Sequence, residues 1–350
     1  MHDIHSPKFI EFYVMKSNFL KWAIIVPLLF FIYSSQTFAL TIKIATLSPD
    51  GSFWMQKMRE GGDEILKQTE GRVKFKFYPG GVMGKDKDVL RKIRLRQLHG
   101  AAITGSSLSH VYPDIQIYNL LMKFHSLDEV DFVRGRMDSE LMAGLEKNGF
   151  VPLGFAEIGM AYIMSIDPIQ DIDQMRSHKA WVPENSEFAL VALKSFSISP
   201  IPLPLRDVLM GLQTNMIDIV AGSPVAALAL QWHTKVKYVT ELPLSYIFGI
   251  LAVDQKVFKK ISKQDQLIVR SIMGSAIKEI DKKNRQDNLL GKDAMIKQGI
   301  QFVKPKDEAA EELRRTTIMT NKQLEKDGGL SIEAVTRMNK LLIDYRSTKQ

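Results

Sequence analysis

The period of the apolar positions changes repeatedly along the chain, and each change marks an element. LTIKIATL (Leu40–Leu47) is a short β-branched run that predicts a buried strand. After SPDGS, Trp54, Met58, Ile65 and Leu66 recur at helical spacing, with Gly61 and Gly62 on the same stripe, where close packing wants them. VKFKFYP alternates Val73, Phe75 and Phe77 against Lys74 and Lys76, a half-buried strand that turns at Pro79-Gly80-Gly81. A basic helix over 85–97 and a strand GAAIT follow. A helix over 128–147 and a strand FVPLGFAE (150–157) continue the alternation, which predicts a parallel sheet with helices on both faces.

A second β/α series begins there. AYIMS, KAWVP, SISPIPLP, MIDIVAG and VKYVTELP read as short strands with helices between most of them. YIFGILAVD (Tyr246–Asp254) is a long apolar strand, long enough to cross from one lobe back to another. SKQD (Ser262–Asp265) opens the C-terminal part as a capping box, ahead of a stripe of Val269, Ile272, Met273, Ala276, Ile277 and Ile280. DKKNRQDN (281–288) is fully polar yet holds no proline and no turn pair. The pattern therefore predicts one helix over 262–298, about 55 Å long, with a solvated waist over a gap between lobes.

The composition of the 350 residues is globular, 45% apolar and 25% charged. Its N-terminal part reads differently. Lys16 and Lys21 precede the apolar run Trp22–Tyr33, and Thr37 and Ala39 supply the small residues of a cleavage site. Residues 1–39 are expected to be a cleaved signal peptide, with an uncleaved anchor as the alternative and Met15 as a possible true start. The mature chain is then exported to the periplasm. It has no cysteine, so its cores alone must hold it together, and thiol chemistry is excluded. The net charge of +8 is spread among alternating lysines and acids, without the basic stripe of a nucleic-acid binder.

Enzyme signatures are missing: there is neither G-x-S-x-G nor H-E-x-x-H. PGGVMGK resembles a phosphate loop, but Pro79 stands where the first glycine is required and Asp86 where Ser or Thr is. His99, His110, His125, His178 and His233 show no metal-ligand spacing. No catalytic residue, metal or cofactor is expected. The residues describe an exported two-lobed α/β protein whose ligand binds between the lobes.

Three stretches then carry a specific resemblance: TIKIATLSPDGSFW, EGRVKFKFYPGGVMGKDKDVLRKIRLRQLHGAAI and LPLRDVLMGLQTNMIDIVAGSP. Together they resemble the periplasmic solute-binding proteins of TRAP (tripartite ATP-independent periplasmic) transporters, in order and over essentially the whole mature chain. The resemblance implies a two-lobed periplasmic-binding-protein (Venus flytrap) fold with a long helix spanning both lobes. Lobe I would take 40–157 and 246–300, lobe II 158–245, with C-terminal helices in 301–350 packing on the lobes. Hinges would fall near 157–159 and 246–249. It implies a monomeric receptor, not an enzyme, that closes on a small-molecule ligand and presents it to the small and large integral membrane subunits of a permease. A periplasmic sensor or lipid-carrying module on the same scaffold is the alternative reading, and a hydrolase a more distant one.

The resemblance also implies binding residues, and here the sequence departs from the family. Typical members hold a carboxylate with the arginine of a K-x-R-V-P strand, whose fork makes two parallel charge-assisted bonds. The matching stretch is KAWVP, with Trp181 at the arginine position. A second arginine gives way to Ala161 or Tyr162, an asparagine to Ser223, and an aromatic residue to Leu205. An indole offers an apolar face and one N–H donor, so the expected ligand is apolar or amphipathic. Trp54 at the first helix, Ser106 and Ser107 after a strand end, Gln231 at a common family position and Phe248 on the returning strand complete the expected binding residues.

Overall fold

The computed structural model describes residues 39–184, 186–327 and 329–349, so the expected signal peptide lies outside it but for Ala39. In chain order, β1 (Leu40–Thr46), α1 (Phe53–Gln68), β2 (Val73–Tyr78), α2 (Asp86–Arg94) and β3 (Gly100–Thr104) form the opening β/α unit. Then come α3 (Leu127–Lys147), β4 (Phe150–Ser165), α4 (Ile172–Arg176), β5 (Ala180–Pro183), α5 (Glu187–Ser195), β6 (Pro200–Leu203), α6 (Val208–Gln213), β7 (Ile219–Gly222) and α7 (Pro224–Ala229). The chain closes with β8 (Tyr238–Thr240), β9 (Ser245–Asp254), α8 (Gln255–Phe258), α9 (Lys263–Lys297), β10 (Gln301–Val303), α10 (Asp307–Asp327) and α11 (Ile332–Ser347).

The glycines of α1 do what the stripe predicts. A Cβ on Gly61 would stand 3.2 Å from Met273 Sδ, and one on Gly62 3.2 Å from Phe75 Cβ, so the helix sits directly on α9 and β2. Ser52 caps α1 by accepting from Met55 N, and Ser262 caps α9 by accepting from Asp265 N at 3.1 Å. Met55, Met58, Val269, Met273 and Ile277 fill one face of the first sheet; Val133, Met137 and Leu141 of α3, with Met338 and Leu342 of α11, fill the other.

The sheets are mixed, where the alternation predicts parallel ones. β1 runs parallel to β2 and β3, but β9 is antiparallel to both β3 and β4. In the second lobe β5 is parallel to β6 and β7, while β4 is antiparallel to β7 and β8. FVPLGFAE and AYIMS, predicted as two strands, are one 16-residue strand. β4 pairs with β9 from Phe150 to Ala161 and with β7 from Tyr162 to Ser165, so it belongs to both lobes. β-branched and aromatic residues keep it extended, and a bulge between Glu157 and Gly159 bends it where it changes partner.

The polar stretch of α9 is not a solvated waist. Asn284 is 5% exposed and donates to the Glu157 carbonyl at 2.6 Å. Asn288 donates to the Ile158 carbonyl at 2.8 Å and accepts from Val225 N at 3.2 Å. Arg285 binds the fully buried Glu157 carboxylate through Nε at 3.0 and 2.8 Å, and its outer nitrogens hold Asp131 at 2.9 Å. Burial pushes the Glu157 carboxyl up, against the pull of the Arg285 guanidinium. These side chains are polar because β4 presents them with unpaired polar groups at its bulge.

Replacing Arg285 with Met strands a buried carboxylate and is expected to lower unfolding free energy by about 3 kcal/mol or more. Asp131→Asn removes only the exposed end of the same fork and should cost less than about 1 kcal/mol. Chemical denaturation of both variants checks this, and equal losses would show that burial does not set the weight of the pair.

Candidate functional site

A cavity of about 320 Å³ opens between the lobes. The first lobe contributes the ends of β1 and β3 and the start of α2, through Leu47, Thr104, Ser106, Ser107, Lys85 and Asp86. The second contributes β5, α5 and the loop after β6, through Trp181, Val182, Phe188, Ala192 and Leu205. Ala161, Ala189, Ala221, Gly222 and Ala226 supply much of the remaining wall, and their small size leaves the space open. A second chamber of about 70 Å³ adjoins it, sharing Leu121, Trp181, Ala192, Leu193 and Leu244, and its own lining is apolar except for Thr317.

Trp181 is 7% exposed and stands in the walls of both chambers. Trp232, 2% exposed, meets it edge to face with ring centroids 5.4 Å apart. The Trp181 Nε1–H donates to the Leu203 carbonyl at 2.9 Å. That bond consumes the donor the sequence reading offered to a ligand, so this indole presents carbon alone.

Four of the nine expected binding residues meet in the cavity: Trp181, Ser106, Ser107 and Leu205. Five lie elsewhere, each for a local reason. Trp54 packs on β9, where a Cβ on Gly249 would stand 2.7 Å from its ring. Tyr162 and Phe248 fail by strand alternation: their neighbours Ala161 and Ile247 face the cavity, so they face the core. Phe248 is fully buried among Tyr118 and Phe155, at centroid distances of 5.4 and 5.3 Å. Ser223 is fully buried and caps α7 by accepting from Ala226 N. Gln231 stands exposed in the left-handed region, φ 60°, and turns the chain so that Trp232 reaches the cavity.

The sequence reading missed Lys85, Asp86, Asn119 and Phe188. Lys85 Nζ and Glu184 Oε1 pair at 2.9 Å across the cavity, each about one-third exposed. Arg206 lines the opposite side, half exposed, with Nε 3.5 Å from Asp207. Lys179 donates to the Asn215 carbonyl at 3.0 Å and is not part of the lining. Asp86 accepts from Ser107 Oγ, and burial, only partly offset by that bond, pushes its carboxyl up. Among the described residues no cluster of His, Cys, Asp and Glu has the makings of a metal site, and no helix is long and apolar enough to cross a membrane. A phenylalanine and two alanines at helical spacing in EFALVALKS were the readable sign of the α5 wall.

The family model described as "Bacterial extracellular solute-binding protein, family 7" matches residues 44–327. A solute-binding protein of Roseobacter denitrificans is 26% identical over 250 residues, covering 69% of this chain and 75% of its own. A TRAP periplasmic solute-binding protein of Ralstonia eutropha H16, solved with bound (S)-2-acetolactate, superposes with TM-score 0.80 at 18% identity, over 87% of this chain and 99% of its own. One from Xanthobacter autotrophicus Py2, solved with bound β-D-galacturonate, gives 0.79 at 17% identity, over 86% and 99%. These likenesses carry the two-lobed fold.

Truncating Trp181 to Ala removes the face on which Trp232 rests and leaves the Leu203 carbonyl without its donor. The expected cost is about 3–5 kcal/mol. Trp181→Phe keeps most of the apolar face and should cost less than half as much. Thermal or urea unfolding of the pair measures both, and a neutral Ala variant would mean the indole bears no load.

Proposed function

The chain belongs to the bacterial extracellular solute-binding proteins, family 7, a family of binding proteins and not of enzymes; on that footing we propose that it is the receptor of a TRAP-type secondary transporter for an amphipathic organic solute. The ligand enters the cleft, the lobes close about the 157–159 and 246–249 crossings, and the closed receptor presents it to the small and large membrane subunits. Closure requires that the ligand bind the closed state better than the open one, and that difference limits the shift. The cavity is formed within one chain, so a monomer suffices.

One observation carries the ligand class. At the position where a guanidinium fork would sit, the wall is the Trp181 indole with its N–H already bonded, backed by Trp232 and opening on an apolar chamber. The cations that remain, Lys85 and Arg206, each have an acidic neighbour. The solved relatives named above hold an acidic sugar and a small hydroxy-keto acid. A ligand of that kind would find no buried fork here, whereas a solute with an aryl or alkyl body gains about 25 cal/mol for each Å² of apolar surface it buries.

Native mass spectrometry of the gently purified protein tests the class directly, because a co-purifying ligand is identified by its mass. Calorimetry supplies the second arm. The unaltered protein is expected not to bind galacturonate, sialic acid or a C4-dicarboxylate at micromolar concentrations, and Trp181→Arg alone is expected not to create such binding. Dissociation constants on the order of 1 μM for any of these acids would sink the amphipathic reading and leave family membership standing.

A further inference from the structure

The polar pole of the cavity has a direction. Ser107 Oγ donates to Asp86 Oδ2, so the Ser107 oxygen is left to accept, and Thr104 Oγ1, 2.9 Å away, donates to it. Thr104 Oγ1 then accepts from Ser106 Oγ at 3.2 Å. With Asp86 as a carboxylate, all three hydroxyl protons point along one chain toward it. None is left for a ligand.

The cavity-lining residues also include buried acceptors without donors. Among the described residues, two buried side-chain oxygens have no hydrogen-bond donor, Asp86 Oδ1 and Asn119 Oδ1, and both residues line this cavity. Asn119 is fixed in that sense because its Nδ2 donates to the Tyr246 carbonyl at 2.8 Å. Buried oxygens without donors cost free energy in the empty protein, and a ligand that brings donors recovers it. The nearby charges are otherwise engaged. Lys85 holds Glu184, Lys92 donates to the Met83 carbonyl at 2.7 Å, Asp88 faces Arg91, and Arg206 stands on the other lobe beside Asp207. Asp86 is the one cavity carboxylate without a cation.

We propose that this pole is the subsite for a protonated amine on the ligand, with Asp86 as its counter-ion and Asn119 Oδ1 and the hydroxyl oxygens as further acceptors. This deepens, and rests on, the reading of the cleft as a receptor for an amphipathic solute. The ligand is then an amphipathic amine, its ammonium at the Asp86 pole and its apolar body against Trp181 and Trp232. A carboxylate at the same pole would meet hydroxyl lone pairs and the like charge of Asp86, with Lys85 already paired to Glu184.

Three probes of matched length and body, 3-phenylpropylamine, 3-phenylpropan-1-ol and 3-phenylpropanoate, are titrated into the purified protein, with tryptophan fluorescence and calorimetry as readouts. The amine is expected to bind more tightly than the acid by about tenfold to a hundredfold, the scale of a hydrogen bond to a charged group. Asp86→Asn is expected to remove that preference and to weaken the amine by a larger factor than the alcohol, since the alcohol donates to the carboxylate but brings no charge to pair with it. In the unaltered protein, amine affinity falls as acid protonates Asp86, and acid affinity does not fall with it; this arm needs no variant to fold. Tighter binding of the acid, or equal losses for all three probes in Asp86→Asn, overturns the amine subsite and leaves the apolar cleft standing. If none of the three perturbs the tryptophans, the apolar cleft itself is wrong, and the subsite goes with it.

Discussion

The structure depends on how one strand is held while it serves two sheets. β4 leaves the first sheet at a bulge, where its backbone carbonyls at Glu157 and Ile158 turn to side-chain donors and the Glu157 carboxylate is fully buried. Unpaired polar groups at that depth cost about 1–3 kcal/mol each. α9 supplies the replacements in successive turns, Asn284, Arg285 and Asn288, and Asp281 accepts from Glu157 N. Arg134 ties the same seam to α3 and β9, reaching Asp281 at 3.0 Å and the Tyr246 hydroxyl at 2.9 Å. Gly159 completes it with φ +124°, a conformation few side chains adopt, pressed against the Asn288 amide.

The seam also explains why a binding cleft can form beside it. Hydrogen bonds to a strand at its crossing point keep the backbone defined without filling the space between the sheets, as a hydrophobic plug there would. The residues facing the cleft are then free to be small. Ala161 on β4 and Ala221 and Gly222 on β7 open the floor, while Trp181 and Trp232 close the far wall. Polar bonds behind the cavity satisfy the strand at its bulge, and small side chains in front of it leave the volume.

Much of this was legible in the sequence where a single period governed. The strands of the first lobe, the α1 glycines and the long late helix follow from local pattern, and the two-lobed scaffold follows from the resemblance. The pattern could not show which side a strand turns toward after a bulge. Tyr162 and Phe248 were therefore assigned to the cavity while their neighbours Ala161 and Ile247 line it. The polar run of α9 misled for a related reason: a solvated face and a face that satisfies a broken strand have the same composition. Asp86 was read only against a phosphate loop, although its meaning comes from Ser107, twenty-one residues away on another element.

The Trp181 wall is better understood through its surroundings than through the single position. A buried fork needs a carboxylate, from protein or ligand, and a shell of acceptors to hold its remaining N–H groups, or it costs several kcal/mol. Trp181 belongs to one core cluster with Val208, Leu212, Val220 and Trp232, and the Leu203 carbonyl accepts its N–H. That carbonyl satisfies one indole N–H; it does not satisfy the five donors of a guanidinium. The apolar wall is therefore a property of the whole second-lobe core. The hydroxyl chain that ends on Asp86 stands on the opposite lobe. The cleft thus sets an apolar wall on the second lobe against a chain of hydroxyls on the first.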